Sequence, residues 1–180
     1  NIFGTYLLAS LGEKYKIKCF VLISTDKAVN PSSVMGATKK FAESIIQSKD
    51  RFSKYTTRFI TVRFGNVLGS QGSVVPLFKK QISEGGTITV TDKEVTRFFM
   101  TIKEACQLVL EASSMGNGGE IYVFDMGESI KIIDLAKKMI QLAGLKIDKD
   151  IKIKIIGLRP GEKMFEETLN INENTSKTHH

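Results

Sequence analysis

The chain has 180 residues and a formal net charge of +7; 42% of its residues are hydrophobic and 25% are charged. This composition is typical of a globular protein and excludes disordered and collagen-like chains. Its longest apolar runs are about five residues, whereas a membrane-spanning helix needs about 20. The sequence has neither basic residues interleaved with aromatic ones nor a known nucleic-acid-binding module, so we expect no nucleic-acid partner. Solvated lysines on helix faces account for the positive charge, and a phosphorylated ligand is the alternative.

Two cysteines, Cys19 and Cys106, lie in apolar stretches of the sequence. We expect them to be buried thiols of a reducing compartment, and a single disulfide between them is the alternative. The chain does not open on a basic segment followed by an apolar core, so we predict no signal peptide. Together these features predict a cytoplasmic protein.

The predicted elements alternate between helices and strands. In chain order they are a helix at 1–13, a strand at 18–24, a helix at 31–49, a strand at 58–63, a glycine-bearing loop at 65–72, a helix at 75–84, short strands at 87–91 and 95–101, a helix at 102–114, a glycine turn at 116–119, a strand at 120–124, a helix capped by Ser129 that reaches Leu142, a strand at 151–156 and a turn at 159–162. This alternation predicts an α/β fold with a parallel sheet in the first half and a more mixed second half.

The glycines do not form a dinucleotide-binding turn. Such a turn lies between a strand and a helix, because only glycine lets the backbone reach the pyrophosphate. The glycines of the loop at 65–72 lack the required spacing, and those at 116–119 precede a strand. The sequence therefore contains no complete nucleotide-binding fingerprint.

The densest group of reactive side chains stands at the end of the first predicted strand, in the segment Ser24-Thr25-Asp26-Lys27. Open α/β sheets bind their ligands at the carboxyl ends of their strands. Met35 and Lys39 are four residues apart on the following helix, so both project from one face. A hydroxyl, a carboxylate and two amines in one crevice can deliver and remove protons if burial tunes their acidity. The alternative is a capping hydroxyl beside a solvated Asp–Lys pair.

Four segments in order resemble one enzyme family. They are STDKAVNPSSVMGATK after the first strand, then TVRFGNVLGSQGSVVP, TRFFMT and LRPGEKMFEE. This series resembles the extended short-chain dehydrogenase/reductases, and more closely the bacterial nucleotide-sugar 4,6-dehydratases of polysaccharide biosynthesis, including the UDP-N-acetylglucosamine 4,6-dehydratases of capsule, O-antigen and protein-glycan pathways. The resemblance runs from Asn1 to about Glu167. It implies the C-terminal part of a Rossmann-type parallel sheet that binds NAD or NADP, together with a smaller mixed α/β substrate-binding subdomain.

The resemblance also implies roles for the residues at the strand end. Thr25 matches the hydroxyl that contacts the sugar O4, and Lys39 matches the lysine that holds the nicotinamide ribose. Asp26 matches the acid that protonates the departing C6 hydroxyl, and Lys27 matches the base that removes the C5 proton. The cofactor contacts implied are Ser24, Thr25, Lys39, Phe64 and Asn66.

Met35 departs from the wider pattern of the family, in which a tyrosine stands four residues before the lysine. A thioether cannot accept the O4 proton, so we predict that Thr25 relays this proton to Asp26. Within the resemblance, methionine is typical of the configuration-retaining dehydratases, which are often fused behind membrane segments. The alternatives are an inactive enzyme and a methionine that serves only in core packing.

Other parts of the matched segments are predicted to hold the substrate. The segment from Gly72 to Phe78, which opens the helix predicted at 75–84, offers backbone N–H groups to pyrophosphate oxygens. Two arginines offer planar guanidinium groups to phosphate, and Glu162 suits ribose hydroxyls. The predicted substrate contacts are Asn66, Ser73, Val74, Val75, Pro76, Phe78, Thr91, Arg97, Arg159 and Glu162, and no metal site is predicted. Taken singly, each of these has an alternative as a turn, strand-face or loop residue.

We divide the chain into residues 1–72, the second half of a Rossmann-like domain, residues 73–168, mostly a substrate-binding subdomain with elements that return to the sheet, and residues 169–180, a polar flexible tail. The expected partners are a UDP-sugar, further copies in a homo-oligomer, and an upstream Rossmann half that is membrane-anchored in some relatives. The longer parent is then expected in the cytoplasm or on the cytoplasmic face of the inner membrane. Without that half, the chain is expected to be inactive. The alternatives are a related nucleotide-sugar epimerase or reductase and a non-catalytic nucleotide-sugar-binding fragment.

Overall fold

The computed structural model describes residues 1–53, 56–70 and 72–179. In chain order the elements are helix α1 (Ile2–Lys14), strand β1 (Cys19–Thr25), a 3-10 turn (Asp26–Ala28), helix α2 (Val34–Phe52), strands β2 (Arg58–Phe64) and β3 (Asn66–Val67), helix α3 (Val74–Ser83), strands β4 (Thr87–Val90), β5 (Thr96–Arg97) and β6 (Phe99–Met100), helix α4 (Ile102–Met115), strands β7 (Ile121–Val123) and β8 (Ile130–Lys131), helix α5 (Ile132–Leu142) and strand β9 (Lys152–Ile155). Within these ranges, no helix combines the length and the apolar character needed to cross a membrane. The loop predicted at 65–72 and the tail predicted at 169–180 each include one residue, Gln71 and His180, outside the described part.

The first sheet is parallel and has the order β1-β2-β7. Its strands come from apolar runs, and β2 is buried at six of its seven positions, as expected for a strand covered on both faces. The register pairs Thr25 at the end of β1 with Phe64 at the end of β2. Helix α2 connects these two parallel strands, which confirms the predicted α/β arrangement.

The second half of the chain builds a separate core. Strand β4 pairs with β9 in parallel, and β5 pairs with β8 antiparallel. Helices α3 and α5 pack beside them around buried Phe78, Ile88 and Ile140. Strand β7 and helix α4 pack instead against the first sheet, so the chain returns to that sheet after β6.

Helix α5 begins later than the sequence predicts. We expected Ser129 to cap it, but its N-cap is Lys131. The reason is that Ile130 and Lys131 pair with Arg97 and Thr96 as strand β8, so their backbone is extended where the helix was expected to start. The prediction of buried cysteines is also wrong for Cys106, which lies exposed on α4, whereas Cys19 is half-buried and both are free thiols.

A buried ion cluster ties the C-terminal segment to the first sheet. Arg63 on β2 is 1% exposed, and its guanidinium donates to both carboxylate oxygens of Glu43 on α2 at 2.8 and 2.7 Å. The same guanidinium donates to both oxygens of Glu173 at 2.7 and 2.8 Å. These bonds hold the pKa of Glu173 at about 2, below its ordinary 4.5. Glu173 lies in the segment predicted to be a flexible tail, and it is anchored at this point.

Candidate active site

The end of β1 turns sharply and brings three reactive side chains together. Thr25 is the N-cap of the 3-10 turn, and its hydroxyl donates to Asp26 Oδ1 at 2.8 Å. The Lys27 ammonium lies 2.9 Å from the same Asp26 oxygen. Asp26 is fully buried, and its Oδ2 has no hydrogen-bond partner among the described residues. The turn therefore lines up a hydroxyl, a buried carboxyl and an amine.

Lys27 also reaches across to the neighbouring strand. Its Nζ donates to Asn66 Oδ1 at 3.2 Å, and the Asn66 amide donates to the Phe98 carbonyl at 3.0 Å. Asn66 is thus held in one orientation by the β3–β6 edge, and it fixes where the amine of Lys27 lies. The sequence predicted both residues as site residues but did not predict this contact.

Helix α2 lies directly against the 3-10 turn because Gly36 has no side chain. A Cβ atom at Gly36 would overlap the Lys27 carbonyl oxygen. This close approach places Met35 at the site, half-exposed, with a thioether where the wider pattern has a tyrosine. Lys39, one turn later, donates to the Ile23 carbonyl at 2.9 Å, and burial lowers its pKa below the ordinary value.

A cavity of about 620 Å³ opens in front of Lys27. Its lining includes ten of the predicted residues: Lys27, Met35, Asn66, Ser73, Val74, Phe78, Thr91, Arg97, Arg159 and Glu162. The predicted residues that lie outside its lining are Ser24, Thr25, Asp26, Lys39, Phe64, Val75 and Pro76. The structure thus brings residues from both halves of the chain around one volume. Thr25 and Asp26 adjoin it through their contacts with each other and with Lys27.

The far wall of the cavity is a polar network centred on Glu162. Its Oε1 accepts from the Thr91 hydroxyl at 2.9 Å and pairs with Arg97 Nη2 at 3.1 Å, and its Oε2 accepts from the Arg159 backbone N–H at 3.1 Å. Arg97 is buried and also donates to the carbonyls of Thr96 and Met164. Because Arg97 is engaged in this way, the exposed Arg159 is the better-placed guanidinium for a ligand phosphate.

Helix α3 points its N-terminus into the same cavity. The N-cap is Ser73, whose side chain makes no capping hydrogen bond. Its Oγ is buried without a partner among the described residues, and both Ser73 and Val74 line the cavity. Open backbone N–H groups and an unpartnered hydroxyl at a helix N-terminus suit an anion such as a phosphate.

Glu166 is a site residue that the sequence reasoning missed. It lines the cavity, and its Oε1 lies 3.7 Å from Lys27 Nζ and 3.7 Å from Arg97 Nε. It belongs to the matched segment LRPGEKMFEE, but two adjacent glutamates end that segment and the sequence does not show which one faces inward. The structure separates them, since the side chain of Glu166 is 4% exposed and that of Glu167 is 51% exposed.

Of the five predicted cofactor contacts, Thr25 and Lys39 are the two whose side chains are placed to hold one end of a nicotinamide dinucleotide. Thr25 and the Lys39 ammonium stand at the carboxyl end of β1, where a nicotinamide ribose can be held. The Ser24 hydroxyl donates to Glu43 at 2.6 Å and the Phe64 ring stacks on Phe124 at 5.8 Å, so these two residues have only their backbone to offer. Asn66 already bonds Lys27.

Comparison with known proteins identifies the family of the chain. The family described as polysaccharide biosynthesis protein matches residues 1–180. The chain is 57% identical over 173 residues to the capsular polysaccharide biosynthesis protein CapD of Staphylococcus aureus, a match that covers 96% of this chain and 28% of CapD.

Two further relatives have a named reaction. The chain is 37% identical to a UDP-N-acetylglucosamine 4,6-dehydratase (inverting) of Campylobacter jejuni and 39% identical to a UDP-glucose 4-epimerase of Rickettsia canadensis. Each match covers 92% of this chain and 48% of the relative. The chain therefore spans about half, or less, of the length of these proteins.

Solved structures show the same fold. The structure of Pen from Bacillus thuringiensis superposes with a TM-score of 0.88 at 42% identity, covering 94% of this chain and 53% of Pen. DesIV, a dTDP-glucose 4,6-dehydratase from Streptomyces venezuelae with NAD and TYD bound, superposes with a TM-score of 0.82 at 19% identity, covering 93% and 56%, and shows the fold alone. The predicted Rossmann-type fold and the predicted resemblance are both confirmed. Residues 1–180 belong to the polysaccharide biosynthesis protein family and have the Rossmann-type fold of the extended short-chain dehydrogenase/reductases.

Proposed function

We propose that this chain is the catalytic and substrate-binding portion of a nucleotide-sugar 4,6-dehydratase that acts on a UDP-N-acetylhexosamine. The observation that carries the proposal is the contact series Thr25–Asp26–Lys27 beside the cavity, with contacts of 2.8 and 2.9 Å. Loss of water across C5–C6 needs an acid for the departing hydroxyl and a base for the C5 proton. A 4-epimerase needs neither group, so this pair favours the dehydratase.

The hydrogen bond between Thr25 and Asp26 supports a route for the O4 proton. The proton that leaves the sugar O4 passes through the Thr25 hydroxyl to Asp26, which accepts from Thr25 at 2.8 Å. Asp26 then protonates the C6 hydroxyl, which leaves as water. Lys27, with its amine unprotonated, removes the C5 proton, and its solvent-exchanged ammonium gives a proton back to C5 at the end. Met35 takes no part in proton transfer, since a thioether is too weak a base.

The chain's contribution to cofactor binding is the set of residues that would hold the nicotinamide end. When bound, NAD or NADP supplies oxidation at C4 and reduction at C6. Thr25 and Lys39 would orient its nicotinamide ribose at the end of β1, and a half outside this chain would hold its pyrophosphate. This dependence supports the expectation that the 180 residues alone do not turn over substrate.

The nucleotide end of the substrate is proposed to lie between the α3 N-terminus and Arg159. Among the described residues, the Arg159 guanidinium makes no ion pair, so it is free to meet a phosphate. We expect Arg159→Ala to weaken binding of UDP about tenfold or more, because one charge-assisted hydrogen bond is lost. Calorimetric titration of the 180-residue chain measures this, with Arg51→Ala on α2 as the matched control. Equal affinities for UDP would contradict the assignment.

The reaction is tested by proton NMR in D₂O with UDP-N-acetylglucosamine and NAD⁺. The chain is used with a cofactor-binding half supplied ahead of Asn1, and the 180 residues alone are the control. A 4-keto-6-deoxy product with deuterium at C5 supports the dehydratase, and retained configuration at C5 agrees with Met35. An epimerised sugar that keeps its 6-hydroxyl would replace the proposal with an epimerase. Binding without reaction would leave a nucleotide-sugar-binding module.

A further inference from the structure

Glu166 is a buried carboxyl beside Lys27 that the mechanism above does not use. Its side chain is 4% exposed, and its Oε1 lies 3.7 Å from Lys27 Nζ. Its Oε2 is buried and has no hydrogen-bond partner among the described residues. Asp26 and Glu166 are the two carboxylates that form ion pairs with Lys27 within the described ranges. Glu166 is therefore a second carboxyl that faces the proposed base.

The ionised form of Glu166 is destabilised by its burial. A buried carboxylate oxygen without a hydrogen bond loses its hydration and gains no partner, and the neutral acid loses less. Burial raises the pKa of the Glu166 carboxyl above its ordinary value and the charge of Asp26 adds to this rise, while Lys27, Arg97 and Lys163 act in the opposite direction. Protonation of the Glu166 carboxylate is therefore more favourable than protonation of a solvated glutamate.

This inference rests on the proposed function, which does not say which group accepts the proton that the Lys27 ammonium must lose before it can act as a base. Lys27 must meet the C5 proton as an unprotonated amine. Asp26 cannot take the proton that Lys27 gives up, because Asp26 must be free to receive the O4 proton from Thr25. A third group near Lys27 therefore has to hold it, and Glu166 Oε1 at 3.7 Å needs only a small side-chain movement to reach hydrogen-bond distance.

We propose that Glu166 accepts the proton of the Lys27 ammonium and holds it during the reaction. In this step a Lys27 N–H bond breaks and a Glu166 O–H bond forms, so an ion pair becomes an amine and a carboxylic acid with no change in net charge. Lys27 then takes the C5 proton, its ammonium exchanges with solvent, and it gives a proton (a deuteron in D₂O) back to C5, while the proton on Glu166 stays in place. Glu166 acts through Lys27 and is a positioning residue for this proton.

The first test needs no turnover and uses the 180-residue chain. Carbon-13 NMR of the glutamate carboxyl groups follows the titration of Glu166 and of Glu167, its half-exposed neighbour. We expect Glu166 to titrate at higher pH than Glu167, whose pKa is lowered by hydrogen bonds from Asn30 and Lys163. Lys27→Met should move the Glu166 midpoint further up, since Lys27 lowers it, and should leave Glu167 unchanged. A Glu166 carboxyl that titrates with Glu167, or does not respond to Lys27→Met, overturns the proposal.

The second test uses the chain with its cofactor-binding half and compares Glu166→Gln with Glu167→Gln. Glutamine keeps the size of Glu166 but cannot hold the proton. We expect dehydration and deuterium incorporation at C5 to fall roughly 100-fold and their pH profile to move to higher pH, because the Lys27 proton must then leave to solvent. Reduced nicotinamide should still form on addition of sugar, since C4 oxidation uses Thr25 and Asp26. Glu167→Gln should leave all these readouts within a few fold.

Three results decide between the two proposals. If Glu166→Gln lowers C4 oxidation and dehydration equally, or lowers neither, Glu166 does not act on the Lys27 proton. If the unmodified protein dehydrates no sugar, the proposed function fails, and the titration still shows whether Glu166 and Lys27 are coupled. If dehydration is present and the titration shows no coupling, the Glu166 proposal fails alone.

Discussion

In the chain supplied with a cofactor-binding half, replacing Lys27 with methionine is expected to reduce dehydration of UDP-N-acetylglucosamine at least about 100-fold, because a base that removes a proton contributes that much or more. Methionine keeps most of the length of the side chain and removes the amine that lies 2.9 Å from Asp26 and 3.2 Å from Asn66. Binding of the UDP-sugar should survive, since the proposed nucleotide contacts, at the α3 N-terminus and Arg159, line another part of the cavity. Proton NMR in D₂O gives the rate, and calorimetry gives the affinity.

The matched control is Lys137→Met on α5. Lys137 is exposed and pairs with Asp134 one turn away, a kind of surface pair that contributes little. Lys137→Met should leave both the dehydration rate and the affinity for the UDP-sugar unchanged. If Lys27→Met keeps its dehydration rate within a few fold of the unmodified protein, Lys27 is not the C5 base. Loss of UDP-sugar binding in Lys27→Met would instead make it a substrate-holding residue.

The sequence predicts the first sheet well because its two long strands are rich in apolar residues. β1 and β2 begin and end within one residue of their predicted bounds. A strand buried on both faces contains little besides apolar side chains, so its limits are visible without any tertiary contact. Helix α4 is equally visible, since Thr101 and Glu104 form a capping box at its start.

The prediction is weaker where a distant segment decides the local structure. Ser129 has the chemistry of a helix cap, but the backbone after it pairs with β5, some 30 residues earlier in the chain and on another element. The same limit applies to the site. The segment from Ser24 to Lys27 can be recognised as a candidate site from its residue types alone. Glu166 joins the site only because the C-terminal segment folds back over Lys27, and the sequence does not show that contact.

Arg63 is a residue for which the sequence predicts a buried partner without identifying it. A charged residue inside the apolar run of β2 is a signal that a buried partner exists, but the sequence does not name the partner. The structure supplies two, Glu43 from α2 and Glu173 from the C-terminal segment, and Ser24 donates to Glu43 at 2.6 Å next to the 3-10 turn. The ion cluster therefore links the sheet, the helix behind the site and the C-terminal segment.

Replacing Arg63 with methionine is expected to lower the free energy of unfolding of the 180-residue chain by about 3–5 kcal/mol, the usual cost of leaving one member of a buried ion pair alone. Glu43 is 1% exposed and would keep Lys40 at 3.5 Å as its remaining cation. Urea unfolding followed by circular dichroism measures the change. The double variant Glu43→Gln/Arg63→Met should lose less than the sum of the two single variants, because it leaves no buried charge unpaired.

The pH dependence of stability provides an independent check on the same cluster. The pKa of Glu173 is about 2 in the folded chain, below its ordinary 4.5, because Arg63 donates to the carboxylate. The stabilisation from this bond is present above about pH 4.5 and is lost as the pH falls towards 2, since protonation then competes with the ion pair. Arg63→Met should remove that part of the acid-induced loss, while Arg51→Met, on the exposed end of α2, should keep it. An Arg63→Met chain that unfolds at the same urea concentration and with the same acid profile as the unmodified chain would show that the cluster does not hold the C-terminal segment in place.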